Sequence, residues 1–189
     1  MGNLYIGLLH FPMLNRRGKI VATALTSMDV HDIARTARTY GVARYFVITP
    51  LPTQQGVAKR IRGVWTEGER AMERSYRGEA MELIFVANDL EESIDWITEA
   101  EGSPPLLVAT SAQEHERQKV TYEELNDRRQ ARPVYIIFGT GWGMSKELIE
   151  TCDLILPPIM AGSDFNHLSV RAAVAITLDR IMGSTDRDR

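Results

Sequence analysis

Residues 134–145, VYIIFGTGWGMS, constrain the fold of this chain more than any other stretch. A run of β-branched and aromatic residues (Val134, Tyr135, Ile136, Ile137, Phe138) breaks abruptly into Gly139-Thr140-Gly141-Trp142-Gly143. A run apolar at every position fits a strand of a parallel sheet covered on both faces, not one with a wet face. Glycine at alternate positions then lets the backbone turn sharply and come close to another group. In open α/β sheets, ligands sit just past the carboxyl end of such a strand. A tight strand-to-helix turn without a ligand fits the same residues.

The rest of the chain repeats the alternation of strand and helix. Strands are expected at residues 4–9, 44–49, 81–87, 106–110 and 134–138, with a very short one at 154–156. Helices are expected at residues 28–40, 54–65, 90–101, 121–130, 145–151 and 168–182. Thr26 with Asp29, and Thr121 with Glu124, have capping-box spacing, and Asp89 suits an N-cap. Residues 15–19, NRRGK, read as a mobile basic loop, and residues 20–25 as a short strand or an extended approach to the next helix. This pattern predicts an α/β fold with a mostly parallel sheet flanked by helices. Residues 1–183 form one domain, and residues 184–189 a flexible charged tail.

Composition narrows the function classes. The net charge of −3 hides an asymmetry: residues 1–77 carry 12 Lys/Arg against 5 Asp/Glu, and the remainder 10 against 20. Such a split marks either a polyanion-binding face or a dipolar surface that serves only solubility. A single cysteine, Cys152, leaves no internal disulfide and no Cys-cluster metal site. His10, His31, His115 and His167 are scattered without metal-ligand spacing, so no metal is expected. No apolar run is long enough to span a bilayer. The first twelve residues lack the features of a signal peptide or a myristoylation site, and the expected location is cytoplasmic.

The glycine loop matches none of the common nucleotide or hydrolase motifs. A dinucleotide fold places G-x-G-x-x-G after its first strand, whereas this loop is G-x-G-x-G and late in the chain. No Gly-Lys-Ser/Thr closes it as in a P-loop, and no serine stands between its glycines as in a nucleophile elbow. Three blocks then follow in order: IIFGTGWGMSKEL, LILPPIMAG and DFNHLSVRAAVAI. Together they resemble the SPOUT superfamily of trefoil-knotted, S-adenosylmethionine-dependent RNA methyltransferases. Residues 29–42, DVHDIARTARTYGV, are similar to the arginine-bearing helix of its ribose 2′-O-methylating branch, with Arg35 on the catalytic arginine. The sequence departs from the superfamily pattern at Trp142, where a glutamate is usual, and at Asp29, His31 and His167.

The resemblance implies a C-terminal trefoil knot, a homodimer with its active sites between subunits, and S-adenosylmethionine as cofactor. The substrate would be a tRNA or rRNA nucleotide, methylated on the ribose 2′-O or a base nitrogen. It implies cofactor binding by Thr110, Ser111, Phe138, Gly139, Thr140, Gly141, Gly143, Leu156, Ile159, Asn166 and Leu168. It places Arg35, Asp164 and His167 in catalysis, the last two as candidate proton acceptors. Arg16, Arg17, Lys59, Arg60 and Arg62 would grip the RNA backbone. Two other readings stay open: a knotted binding module that has lost methyl transfer, and a nicotinamide-nucleotide oxidoreductase.

Overall fold

The computed structural model describes residues 3–68, 75–162 and 165–183. In chain order the elements are β1 (Leu4–Leu9), β2 (Met13–Leu14), β3 (Ile20–Val21), α1 (Ser27–Thr39), β4 (Arg44–Ile48), α2 (Pro52–Thr66), α3 (Tyr76–Met81) and β5 (Ile84–Ala87). They continue with α4 (Leu90–Glu101), β6 (Leu106–Ala109), α5 (Tyr122–Arg128), β7 (Val134–Gly139), α6 (Lys146–Thr151), β8 (Leu154–Ile155) and α7 (Val170–Met182). Six strands form one parallel sheet in the order β5-β4-β1-β7-β6-β8. The expected mostly parallel α/β sheet is present.

β7 lies between β1 and β6, which explains its unbroken apolar run. Val134, Ile136 and Phe138 join the core on one face, with α1, α5 and α7. Tyr135 and Ile137 join the core on the other, with Ile97 of α4 and Ile149 of α6. Period-two side-chain direction with both faces covered leaves no position for a polar residue.

Helix starts follow the capping chemistry. The side chains of Thr26, Asp89, Thr121, Ser145 and Ser169 each accept a backbone N–H at the first turn of their helices. At Thr121 the full capping box forms, because the Glu124 carboxylate also accepts the Thr121 N–H. These caps set the starts of α6 and α7 a residue or two later than the apolar periodicity suggests.

Two expectations need correction. Residues 81–83 are not strand: Ser75 caps the short helix α3, which carries the chain through Met81 before β5 begins at Ile84. Residues 15–19 are not a loose loop but the turn of a β2–β3 hairpin. The Asn15 N–H donates to Lys19 O at 2.9 Å, and Asn15 Oδ1 accepts the N–H groups of Arg17 and Lys19. Arg70, Arg74, Asp164 and residues 184–189 lie outside the described residues.

The sheet order places a topological switch at β1/β7. From β1 the chain runs by way of α1 to β4 on one side, while from β7 it runs by way of α6 to β8 on the other. At such a switch the loops diverge and leave a crevice at the carboxyl ends of the strands.

Candidate functional site

A cavity of about 820 Å³ opens at that switch, large enough for a cofactor-sized ligand. All eleven residues expected to bind cofactor line it. Thr110 and Ser111 leave β6, and Phe138, Gly139, Thr140, Gly141 and Gly143 belong to β7 and its loop. Leu156 and Ile159 follow β8, and Asn166 and Leu168 precede α7. His167 lines the same cavity, and its ring meets Phe165 edge-on at 5.4 Å.

The cavity walls are held by hydrogen bonds between distant parts of the chain. The Thr110 hydroxyl donates to Ile137 O at 2.9 Å and locks the exit of β6 to β7. Asn166 Nδ2 donates to Ala112 O at 2.6 Å, bridging the loop after β6 to the segment before α7. The glycine loop is zipped onto β2: Leu14 N–H donates to Gly143 O at 2.8 Å, and Trp142 N–H to Leu14 O at 3.2 Å. Gly141 (φ +61°) and Gly143 (φ +99°) adopt the left-handed conformation that favours glycine. A Cβ on Gly141 would meet Thr23 Cγ2 at 3.0 Å and Leu14 O at 3.3 Å. The tight packing turn and the cavity wall are therefore the same structure.

Sequence reasoning missed the contribution of residues 23–29. Thr23, Ala24 and Asp29 line the cavity, and Asp29 is the one carboxylate among the described residues that does so. Thr26 Oγ1 donates to Asp29 Oδ2 at 2.6 Å, and Arg171 of α7 lies 3.6 Å from both Asp29 and Asp32. The signals for this wall were the Thr26–Asp29 cap, credited to helix initiation, and the departure from the superfamily pattern at Asp29, to which no role was given. Tyr122, Ala173 and Thr177 also line the cavity, brought there by α5 and α7.

A chain of hydroxyl contacts runs behind this wall. Thr140 Oγ1 donates to Leu9 O at 3.0 Å and also contacts Thr23 Oγ1. Thr23 Oγ1 in turn lies 3.1 Å from His10 Nδ1 and 3.4 Å from His10 O. His10 is fully buried, and its Nε2 has no hydrogen-bond partner among the described residues. Burial pushes its pKa down to about 4, with the Asp29 carboxylate partly opposing.

The unfolded chain therefore binds a proton that the folded protein rejects between pH 6.5 and 4. Stability present above pH 6.5 is lost as pH falls through this range, by about 2 kcal/mol at pH 5. Lowering the pH from 7 to 5 is expected to depress the melting temperature of the wild type by roughly 5 °C more than that of His10→Asn. Equal shifts in the two proteins would show that His10 does not report its burial.

The remaining expected site residues lie apart from the cavity. Arg35 is exposed on α1 and does not line it. Lys59 and Arg60 are exposed on α2, whereas Arg62 is half-buried with its Nε sequestered and without a hydrogen bond. Arg16 and Arg17 are exposed at the β2–β3 turn.

A sequence family described as SAM-dependent RNA methyltransferase matches residues 3–183. The chain belongs to this family. An "Uncharacterized protein" of Aquifex aeolicus (strain VF5) is 41% identical over 181 residues, covering 95% of this chain and 88% of that protein. A "tRNA (guanine-N(1)-)-methyltransferase" of Oleidesulfovibrio alaskensis is 36% identical over 181 residues, or 96% of this chain. The chain spans only 42% of that relative's length. Among solved structures, the SpoU methyltransferase AviRb from Streptomyces viridochromogenes in complex with AdoMet superposes with a TM-score of 0.59 at 18% identity. That match covers 99% of this chain and 59% of AviRb. The SPOUT resemblance read from the sequence thus holds for the fold.

The cavity of this methyltransferase family member suits the family's cofactor, S-adenosylmethionine. Apolar Phe138, Leu156, Ile159 and Leu168 offer surfaces for an adenine ring, and hydroxyls of Thr110 and Ser111 with the loop backbone offer polar partners. Among the described residues, no group of His, Cys, Asp or Glu could hold a metal ion. Nor is any described helix long and apolar enough to cross a membrane.

Proposed function

We propose that this protein transfers a methyl group from S-adenosylmethionine to a nucleotide of tRNA or rRNA. The observation that carries the proposal is the single cavity wall built from all three C-terminal loops, Thr110-Ser111, the glycine loop and residues 156–168. The cofactor supplies an electrophilic methyl on a sulfonium centre. The residues of the chain then have three tasks: to bind it, to hold the RNA nucleophile in line with it, and to manage one proton.

Leu156, Ile159 and Leu168 sandwich the adenine. Thr110, Ser111, Asn166 and the backbone around Gly139, Thr140, Gly141 and Gly143 supply hydrogen bonds. His167, exposed at the cavity, is the proposed proton acceptor. Asp29 is a second candidate on the opposite wall, while Asp164 lies outside the described residues. The Arg35 guanidinium holds phosphate or the charge that develops on the acceptor.

The proposal includes a homodimer in which Arg35 of one copy serves the cavity of the other; the exposure of Arg35 on α1, away from its own cavity, supports this arrangement. Exposed Met160, Phe165 and Leu168 beside the cavity supply an apolar surface for that contact. The reading includes the C-terminal knot, supported by the passage of the chain from β7 beyond β6 to β8 and by the SpoU likeness. It also takes residues 1–183 as one domain.

The name of the Oleidesulfovibrio relative makes guanine N1 in tRNA one acceptor to assay, alongside ribose 2′-O. Calorimetry with S-adenosylmethionine, followed by labelled methyl transfer to RNA from cells lacking the protein, tests the proposal. Binding and transfer are expected. Binding without transfer to any RNA pool would favour a module that has lost catalysis, and stabilisation by NAD alone would overturn the reading.

A further inference from the structure

The three tryptophans of the chain fall into two classes. Trp65 and Trp96 are partly covered, each with a guanidinium over its ring: Arg77 at 4.7 Å and Arg44 at 4.9 Å. Trp142 is 58% exposed at the cavity, with no ring or cation of the described residues packed on it. Exposing a large aromatic ring beside a polar cavity forgoes the burial that would stabilise the fold. Its backbone, by contrast, is fixed. The Trp142 N–H donates to Leu14 O, and the next residue, Gly143, accepts the Leu14 N–H.

Leu14 is the last residue of β2 before the hairpin turn that carries Arg16, Arg17 and Lys19. None of these three cations forms an ion pair with a described carboxylate. The turn is rigid, because Asn15 accepts two of its N–H groups and Gly18 adopts φ +69°. Arg16 therefore lies two residues, roughly 7 Å of chain, from the residue bonded to Trp142. A bare aromatic face at the cavity and three unneutralised cations on the adjoining hairpin turn are held by one hydrogen-bonded scaffold.

We propose that the Trp142 indole is a stacking platform for an unpaired nucleotide of the RNA substrate, and that Arg16, Arg17 and Lys19 grip the adjoining phosphates. An indole stacks on any base whose face is free, so the partner is a single-stranded or flipped-out nucleotide rather than a closed duplex. The cations supply sequence-independent affinity, and the ring fixes which nucleotide lies over the cavity. Trp142 is a positioning residue here. The inference rests on the RNA-methyltransferase reading but is tested without turnover.

In the full chain carrying Trp65→Phe and Trp96→Phe, Trp142 is the sole tryptophan and is excited selectively at the red edge, beyond tyrosine absorption. Oligo(rA) and oligo(rU) of about 12 nucleotides are expected to quench it, while a duplex RNA of the same length quenches it far less. Trp142→Ala is expected to weaken oligonucleotide binding roughly ten-fold or more, and Trp142→Phe to restore most of it. Affinity for S-adenosylmethionine and the solution mass stay unchanged in both. Replacing Arg16, Arg17 and Lys19 together by alanine should lower the salt dependence of binding by about 2 in log–log slope and preserve quenching at saturation.

Quenching by S-adenosylmethionine alone would place the ring on the cofactor and overturn the proposal. So would equal quenching by duplex, or a loss of dimer mass in Trp142→Ala with unchanged RNA affinity. Quenching by single strands without methyl transfer to any RNA would uphold the platform and defeat the activity reading instead.

Discussion

Gly141→Trp is expected to abolish S-adenosylmethionine binding, raising the dissociation constant by more than about 100-fold. Gly141 sits at φ +61° in the wall of the cavity, where a non-glycine residue costs roughly 1–2 kcal/mol in backbone strain. Any Cβ there meets Thr23 Cγ2 and Leu14 O, so the side chain must displace the loop from β2 or enter the cavity. Either movement removes the backbone groups proposed to bind the cofactor. Because this variant strains the fold, circular dichroism must accompany calorimetry. Ala173→Phe provides a second route, since it adds a ring to the cavity from the helix α7 without touching the loop. Normal affinity in both folded variants would remove the cofactor from this cavity.

Arg35→Ala is expected to leave cofactor affinity unchanged and to slow methyl transfer on the order of 100-fold. The side chain is exposed on α1 and contributes nothing to the cavity of its own subunit. Its removal therefore has no route to cofactor binding within the protomer. If Arg35 serves a partner's active site, mixing Arg35→Ala subunits with cofactor-blind Gly141→Trp subunits should restore part of the activity. In such a mixed dimer, one site keeps both an intact cavity and an intact arginine. A fully active Arg35→Ala protein would end the role assigned to this residue, and a mixed dimer without recovery would end its action across subunits.

How much of this was legible in the sequence depends on the range of the interaction that carries it. β7 was readable because burial on both faces writes itself as an uninterrupted apolar run. The caps at Thr26, Asp89 and Thr121 depend on residues only three apart, so the helices they open were found to within a residue or two. The three C-terminal loops were legible as ligand walls because their blocks resemble those of the SPOUT methyltransferases, and each follows a parallel strand at the same edge of the sheet. Thr23 and Asp29 were not, because they reach the cavity through contacts with Thr140 and Arg171, more than a hundred residues away. The hairpin around Gly18 hid for a related reason. Its strands are two residues long, too short for periodicity, and the ordering comes from the Asn15 side chain. His10 gave no sign of burial, because its place is set by distant partners: its N–H donates to Ile48 O, and its ring meets the Thr23 hydroxyl.

The zipper between β2 and the glycine loop has a consequence for biosynthesis. Residues 9, 14 and 23 leave the ribosome well before their partners at positions 140–143, which follow some 120 residues later. Until then Leu14 and Thr23 lack the groups they bond in the native protein, and the cavity lacks its middle wall. The far wall, on α7, is made last. A chain that ends before α7 thus has no complete site for a reactive methyl donor, and competence arrives only once α7 has been made.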